Sequence, residues 1–329
     1  MITHRRLALA ASLAFILPIA AFAGHKKDHS SRSALSPEVQ MTHSEIRKTF
    51  GLLPEFMKNF SSQGLPGAWQ ELKSFGLNPN TELPQGTKQL IGLAVSARIP
   101  CENCVFFHNE FAKVNGVSSA EIQEAIAVSA LTQHWSTFMN GLAQDETLFR
   151  QETDQVMAHL KRKMEESSAR EAAGEVSSQE QSASAAITTP ELAYQDIQQT
   201  FGSVPEFLRQ FPKSAIVGAW NEMKGIETNP KGAISGKDRE LIGLAVAAQI
   251  PCKYCVYFHT QAAKLNGATE NEIREALVQS SITRHWSVVM SAPGVSSSRL
   301  RSDVSQAARF VKARLSTQKQ MGGKVPAKE

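Results

Sequence analysis

The chain contains two copies of one sequence, offset by 151 positions. Residues 41–140 align with 192–291 without a gap, and about 43 of the 100 aligned positions are identical. A repeat of this length indicates a duplicated domain rather than a solenoid array, so both copies should build the same fold. The four tryptophans fall in matched pairs, and we expect them and the adjacent His134 and His285 in the core. The pairs are Trp69 with Trp220 and Trp135 with Trp286.

Each copy carries helical signals, and the alternating pattern that predicts strands is absent from the sequence. An apolar run over 90–95, repeated at 241–246, predicts a buried helix that ends before a proline. We place that proline in the first turn of the next helix, which should end at an Asn-Gly pair with a left-handed cap. A Ser or Thr followed three residues later by Glu then predicts the capping box of another helix. The sequence therefore predicts an all-α fold made of two tandem helical bundles.

Targeting and linker segments frame the two copies. A positively charged start, an apolar run and small residues ending at Ala23 predict a signal peptide, with an uncleaved N-terminal anchor as the alternative. After cleavage we expect a periplasmic or secreted protein without membrane contact. The net charge is only +4, because the numbers of basic and acidic residues are nearly equal, and it does not indicate a nucleic-acid partner. We place the signal peptide at 1–23, a disordered segment at 24–40, a first domain at 41–164, a linker at 165–189, a second domain at 190–316 and a disordered tail at 317–329.

All four cysteines lie in two copies of a Cys-x2-Cys-x3-His motif. On a helix, these three positions share one face. The first cysteine should lie in the first turn, where free N–H groups favour a thiolate, and the second lies one turn before a histidine that can take its proton. The pattern therefore favours reversible dithiol chemistry at two sites. The motif residues are Cys101, Cys104 and His108 in the first copy and Cys252, Cys255 and His259 in the second.

Two other roles remain open for these cysteines. A structural disulfide fits an exported protein, although so short a loop gains little from cross-linking. A zinc site would have three ligands in each motif, but on one helix the first and last lie roughly 10 Å apart along the axis. Such ligands do not easily converge on one ion, so we expect neither a metal nor a cofactor besides the cysteine pairs.

The second copy resembles a known family. Glu240 stands twelve residues before Cys252, and the motif is followed by Ala263-Lys264-x-Asn266-Gly267-Ala268. This combination is similar to the AhpD-like branch of the carboxymuconolactone decarboxylase superfamily, over about 100 residues in each copy. The resemblance implies an all-helical bundle that assembles into homo-oligomers, as trimers or hexamers. The activity it implies is thiol-dependent reduction of hydroperoxides, or dithiol–disulfide exchange with a partner.

The resemblance also assigns roles to residues of the second copy. It implies that Cys255 attacks the peroxide and becomes a sulfenic acid, that Cys252 resolves it to a disulfide, and that His259 and Glu240 form a proton relay. The helix dipole favours Cys252 as the low-pKa thiol, whereas the nearby histidine favours Cys255, which we take as the attacking thiol. The first copy has Gln89 in place of Glu240, and glutamine cannot accept a proton. We therefore expect the second copy to be the competent site.

Three functions are compatible with the sequence. We favour an exported thiol-dependent peroxidase or dithiol oxidoreductase, which needs a separate thiol electron donor because the periplasm holds thiols oxidised. A non-catalytic oligomeric protein with permanent disulfides is the second. The third is the ring-opening lactone decarboxylation that names the superfamily, against which the two intact cysteine pairs argue.

Overall fold

A computed structural model describes residues 35–173 and 186–322 of the chain. Every regular element in these ranges is a helix, which confirms the all-α prediction. Nothing in the two ranges has the combined length and apolar character of a bilayer-crossing helix. The predicted signal peptide lies outside the described residues. The helices are α1 (Pro37–Phe50), α2 (Glu55–Lys58), α3 (Leu65–Glu71, continued by a π-helical turn at Leu72–Gly76), α4 (Gln85–Arg98), α5 (Glu102–Val114), α6 (Ser119–Leu142), α7 (Glu146–Ala172), α8 (Pro190–Phe201), α9 (Glu206–Gln210), α10 (Lys213–Ile226), α11 (Gly236–Gln249), α12 (Lys253–Leu265), α13 (Glu270–Met290) and α14 (Ser297–Gly322).

The helix boundaries follow the local signals of the sequence closely. The glycines after α5 and α12, Gly116 and Gly267, have φ of 81° and 82°, as the predicted left-handed caps require. Both predicted capping boxes form, at the start of α6 and of α13. One placement is wrong: the first cysteine of each motif is the N-cap residue, so the preceding proline lies before the cysteine helix and not in its first turn.

The two predicted bundles interlock, because the last helices of each copy pack on the other copy. α7 of the first copy packs against α12 of the second, and α14 of the second packs against α5 of the first. α4 and α11 cross at the centre, inside a buried aliphatic cluster to which both copies contribute. The described residues from Ser36 onward accordingly form one compact unit. α7 also continues through the predicted domain boundary at residue 164, and α1 and α14 extend beyond the predicted limits at residues 41 and 316.

Each cysteine pair is buried against a helix of the opposite copy. Trp135 and Met139 of α6 share one apolar cluster with Cys255, and Trp286 and Met290 of α13 share another with Cys104. All four tryptophans are buried, as the sequence predicted. His134 and His285 are exposed instead, because they lie on the outer faces of α6 and α13, so their assignment to the core is wrong. The interlocking places each dithiol at a junction between the copies.

Candidate dithiol active site

The sulfurs of both motifs lie at the N-terminal ends of the helices that carry them. Cys252 caps α12, and the backbone N–H of Cys255 donates to its Sγ at 3.2 Å. Cys101 and Cys104 repeat this arrangement at α5. Each pair forms a disulfide with Cα atoms 5.3 Å apart. The first sulfur of each motif therefore occupies the helix end that stabilises a negative charge in the reduced state.

A buried histidine and a buried glutamate face each other in the second copy. His259 Nδ1 lies 2.8 Å from Glu240 Oε2, and α11 and α12 pack closely there because Gly243 leaves room for the ring. Burial raises the pKa of Glu240 to about 8, against the opposing effects of a hydrogen bond from Glu227 and the charge of Arg239. Burial also lowers the pKa of His259. Near neutral pH the carboxyl therefore holds a proton that it can exchange with the imidazole.

Glu227 is a second buried acid that the sequence analysis missed. It caps the C-terminal end of α10, and its buried carboxyl lies against that of Glu240. Burial, together with the neighbouring charge of Glu240, raises the pKa of Glu227 to about 8. Arg239 donates to the carbonyl oxygen of Glu227 at 3.0 Å and pairs with Glu124 of α6 at 2.9 Å, which fixes this helix end. Gly76 occupies the matching position of the first copy, so the alignment of the two copies already contained the signal.

Two hydroxyl groups from the first copy complete the second site. Ser136 Oγ lies 2.9 Å from Cys255 Sγ, and Thr132 Oγ1 lies 3.4 Å from His259 Nε2. Both belong to α6, one turn apart on the same face. Among the contacts of the described residues, none joins His259 directly to Cys255. The structure therefore shows no direct contact of the histidine with the sulfur, and a separate hydroxyl of α6 lies against each of them.

A large cavity opens beside the second site and not beside the first. Its volume is about 590 Å³, and Cys255, His259, Glu240 and Glu227 all line it. The matching space beside Cys104 has a volume of only about 30 Å³. A cavity of the first size holds a small organic molecule, whereas the second is about the size of one water molecule. Cys255 is thus the motif sulfur that a ligand can reach.

The first site keeps the motif residues but differs in its surroundings. Gln89 Oε1 lies 2.9 Å from His108 Nδ1, and burial lowers the pKa of His108 to about 3. Cys104 Sγ contacts Met290 Sδ at 3.9 Å instead of a hydroxyl. Ser287, which matches Ser136, donates to a carbonyl oxygen of its own helix. Ser291 Oγ donates to Cys101 Sγ at 3.6 Å, so the one hydroxyl contact of this site is to its first cysteine. The first site therefore lacks the acid, a hydroxyl at its second cysteine and the space that the second site has.

Comparison with known proteins agrees with the duplication. The model of the carboxymuconolactone decarboxylase family matches residues 64–146 and 215–295, once in each copy, and both matches include a cysteine motif. No curated protein and no solved structure matches the chain. Within residues 35–173 and 186–322, no group of three or more His, Cys, Asp or Glu side chains is arranged to hold a metal ion.

Proposed function

Because the chain belongs to the carboxymuconolactone decarboxylase family through both of its copies, we propose that it is an AhpD-type thiol peroxidase whose second copy reduces hydroperoxides. One observation carries this proposal. Cys255 contacts a hydroxyl and lines a large cavity together with a His–Glu pair and an additional buried acid. A disulfide with a purely structural role needs none of these neighbours.

The reaction begins from the reduced pair. Cys255 gives up its proton, its thiolate attacks the terminal oxygen of the hydroperoxide, the O–O bond breaks, and the alkoxide takes a proton to leave as an alcohol. Cys255 is then a sulfenic acid. The thiolate of Cys252 attacks the oxidised sulfur, water leaves, and the disulfide forms. A separate dithiol or thiol donor reduces this disulfide and is itself oxidised.

The buried acids account for the protons of the first step. The thiol proton of Cys255 passes by way of Ser136 and Thr132 towards the His259–Glu240 pair, while the protonated Glu227 faces the cavity where the alkoxide forms. One group accepts a proton as another donates one, so no net charge develops in the buried site. Carboxyls with a pKa near 8 suit this exchange, because they lie close to the working pH.

The location, the electron donor and the oligomeric state of the enzyme are further parts of this proposal. We propose a periplasmic or secreted location from the N-terminal signal, with the electron donor supplied by another protein or a small thiol. We also propose a homo-oligomer, as implied by the family resemblance. The donor must reach the disulfide of Cys252 and Cys255 from outside, because the other two cysteines of the chain, Cys101 and Cys104, are buried and bonded to each other at the first site.

The test compares matched cysteine variants. The reduced protein is mixed with hydrogen peroxide or cumene hydroperoxide, with dithiothreitol as donor, and peroxide consumption is followed. We expect Cys255→Ser to abolish turnover and Cys104→Ser to retain most of it. Equal losses would refute the inequality of the two copies. A protein that is fully reduced by thiol titration and still consumes no peroxide would refute the peroxidase itself, in favour of structural disulfides.

A further inference from the structure

The lining of the cavity beside Cys255 extends along most of α7. One wall is α7, from Phe149, whose ring lies 5.3 Å from that of Tyr254 next to the cysteine, to Ser167. This stretch of helix spans roughly 25 Å at about 1.5 Å per residue. A volume of about 590 Å³ spread along such a length leaves room for a single chain rather than a compact ring system.

The lining of the cavity is apolar and adaptable over most of its surface. Phenylalanine and methionine side chains dominate it, and methionine thioethers adjust to flexible apolar ligands. The aromatic and thioether side chains concerned are Met139, Phe149, Met157, Met164, Phe201, Phe207, Met223 and Phe258. The acids Glu227 and Glu240 line the same cavity as Cys255, so it offers buried acidic groups together with the reactive sulfur. An alkyl chain with one reactive polar group fits this distribution.

A positive charge stands towards the far end of the α7 wall. Lys163 lies fourteen residues after Phe149 and also lines the cavity. Its Nζ donates to the carbonyl oxygen of Gln199 at 3.2 Å, and no carboxylate of the described residues pairs with it. The other cation at the cavity, Arg239, is already paired with Glu124. Lys163 can therefore meet an anionic head group at the exposed face of α7.

We infer that the cavity binds a long-chain fatty acid hydroperoxide, with the carboxylate at Lys163 and the peroxide at Cys255. This inference rests on the proposed function and names its substrate class. The products are the hydroxy fatty acid and the sulfenic acid of Cys255, which Cys252 converts to the disulfide with release of water. A phospholipid shares the anionic head and acyl chain, but its two chains do not suit a single-chain cavity.

The test compares four substrates below the micelle-forming concentration of the free acid. They are linoleic acid hydroperoxide, its methyl ester, tert-butyl hydroperoxide, and phosphatidylcholine hydroperoxide in vesicles. With dithiothreitol as donor, we expect kcat/KM for the free acid to exceed that for tert-butyl hydroperoxide at least about tenfold, because many more methylene groups are buried. We expect it to exceed that for the methyl ester about two- to fivefold, the range of an exposed ion pair. Equal or faster turnover of the vesicle lipid would overturn the free acid as occupant.

Charge variants on α7 test the role of Lys163. Lys163→Glu should remove the preference for the acid over its ester. Lys161→Glu is the matched control, because Lys161 is an exposed lysine of the same helix that does not line the cavity. If both variants behave alike, the assignment of the head group to Lys163 is wrong, although the peroxidase stands.

A binding measurement separates the inference from the proposed function. Calorimetric titration of the oxidised protein with oleate requires no turnover, so it reports on the cavity even if no peroxide is reduced. We expect saturable binding of one oleate per chain, weakened about two- to fivefold by Lys163→Glu and unaffected by Lys161→Glu. Absence of binding would overturn the inference, whether or not the protein reduces tert-butyl hydroperoxide.

Discussion

Replacing Glu240 by glutamine should change how the stability of the protein depends on pH. The carboxyl has a pKa of about 8 in the folded protein against 4.5 ordinarily, because burial penalises its charged form. The unfolded chain therefore releases this proton at a lower pH than the folded protein does, and stability falls as pH rises from 4.5 to about 8. The first copy shows that glutamine is accepted there, since Gln89 bonds to His108 at 2.9 Å.

The magnitude follows from the number of protons involved. Between pH 6.5 and 7.5, Glu227 and Glu240 both remain protonated in the folded protein and ionised in the unfolded chain. Each costs on the order of 1 kcal/mol of stability per pH unit. The wild type should therefore lose stability more steeply over this unit than Glu240→Gln does, by on the order of 1 kcal/mol. The lowered pKa values of His108 and His259 act mainly below pH 6.5, where they oppose this trend.

The assay is urea denaturation at pH 6.5, 7.0 and 7.5, followed by the fluorescence of the four buried tryptophans. Glu110→Gln, which removes a carboxylate from an exposed pair with Lys113, controls for the loss of one charge. The wild type and Glu240→Gln should diverge by on the order of 1 kcal/mol across the range, while the control follows the wild type. Parallel curves for wild type and Glu240→Gln would refute the raised pKa, and with it the proton exchange proposed for the site.

Two of the three further predictions use the duplication as an internal control. In a peroxide-consumption assay, Gly243→Ala should reduce turnover at least about a hundredfold, because the added Cβ displaces the imidazole that moves protons. Gly92→Ala makes the same collision in the first copy and should leave most of the turnover. Ser136→Ala should lower kcat more than KM in steady-state kinetics, while Ser287→Ala, whose hydroxyl bonds within its own helix, should change neither. His108→Gln should make the protein less sensitive to acid in denaturation at pH 4.5 and 6.5: the imidazole has a pKa of about 3 when folded and 6.5 ordinarily, so its removal should abolish about 1.4 kcal/mol of stability loss per pH unit.

The sequence predicted the parts of the fold that depend on local signals. Capping boxes, Asn-Gly caps and the proline after each apolar helix act over a few residues, so the boundaries of α5 and α6 followed from them. The crossing of α7 and α14 between the copies depends on packing between residues far apart in the chain. The spacing of residues along one copy contains no information about which copy's cysteines α6 will face.

The residues of the candidate site were likewise predictable only where the spacing along one copy determines them. Cys252, Cys255 and His259 lie on one helix, and Glu240 was assigned by its fixed distance before them, and the structure brings all four together. Ser136 and Thr132 carried no signal, because a hydroxyl on a buried helix face is common and only the packing of α6 brings it to the sulfur. Glu227 was different, since its replacement by Gly76 in the first copy marked it as an acid specific to one site.

The contribution of α6 to the opposite copy has a consequence for how the activity behaves on dilution. In a dimer of separate chains, a site completed across the interface is lost when the concentration falls below the dissociation constant. Here both halves belong to one polypeptide, so the partner helix is present at a constant effective concentration. The hydroxyl contact to Cys255 should therefore survive at any protein concentration. A molecule that is diluted away from all others therefore keeps both halves of this site together.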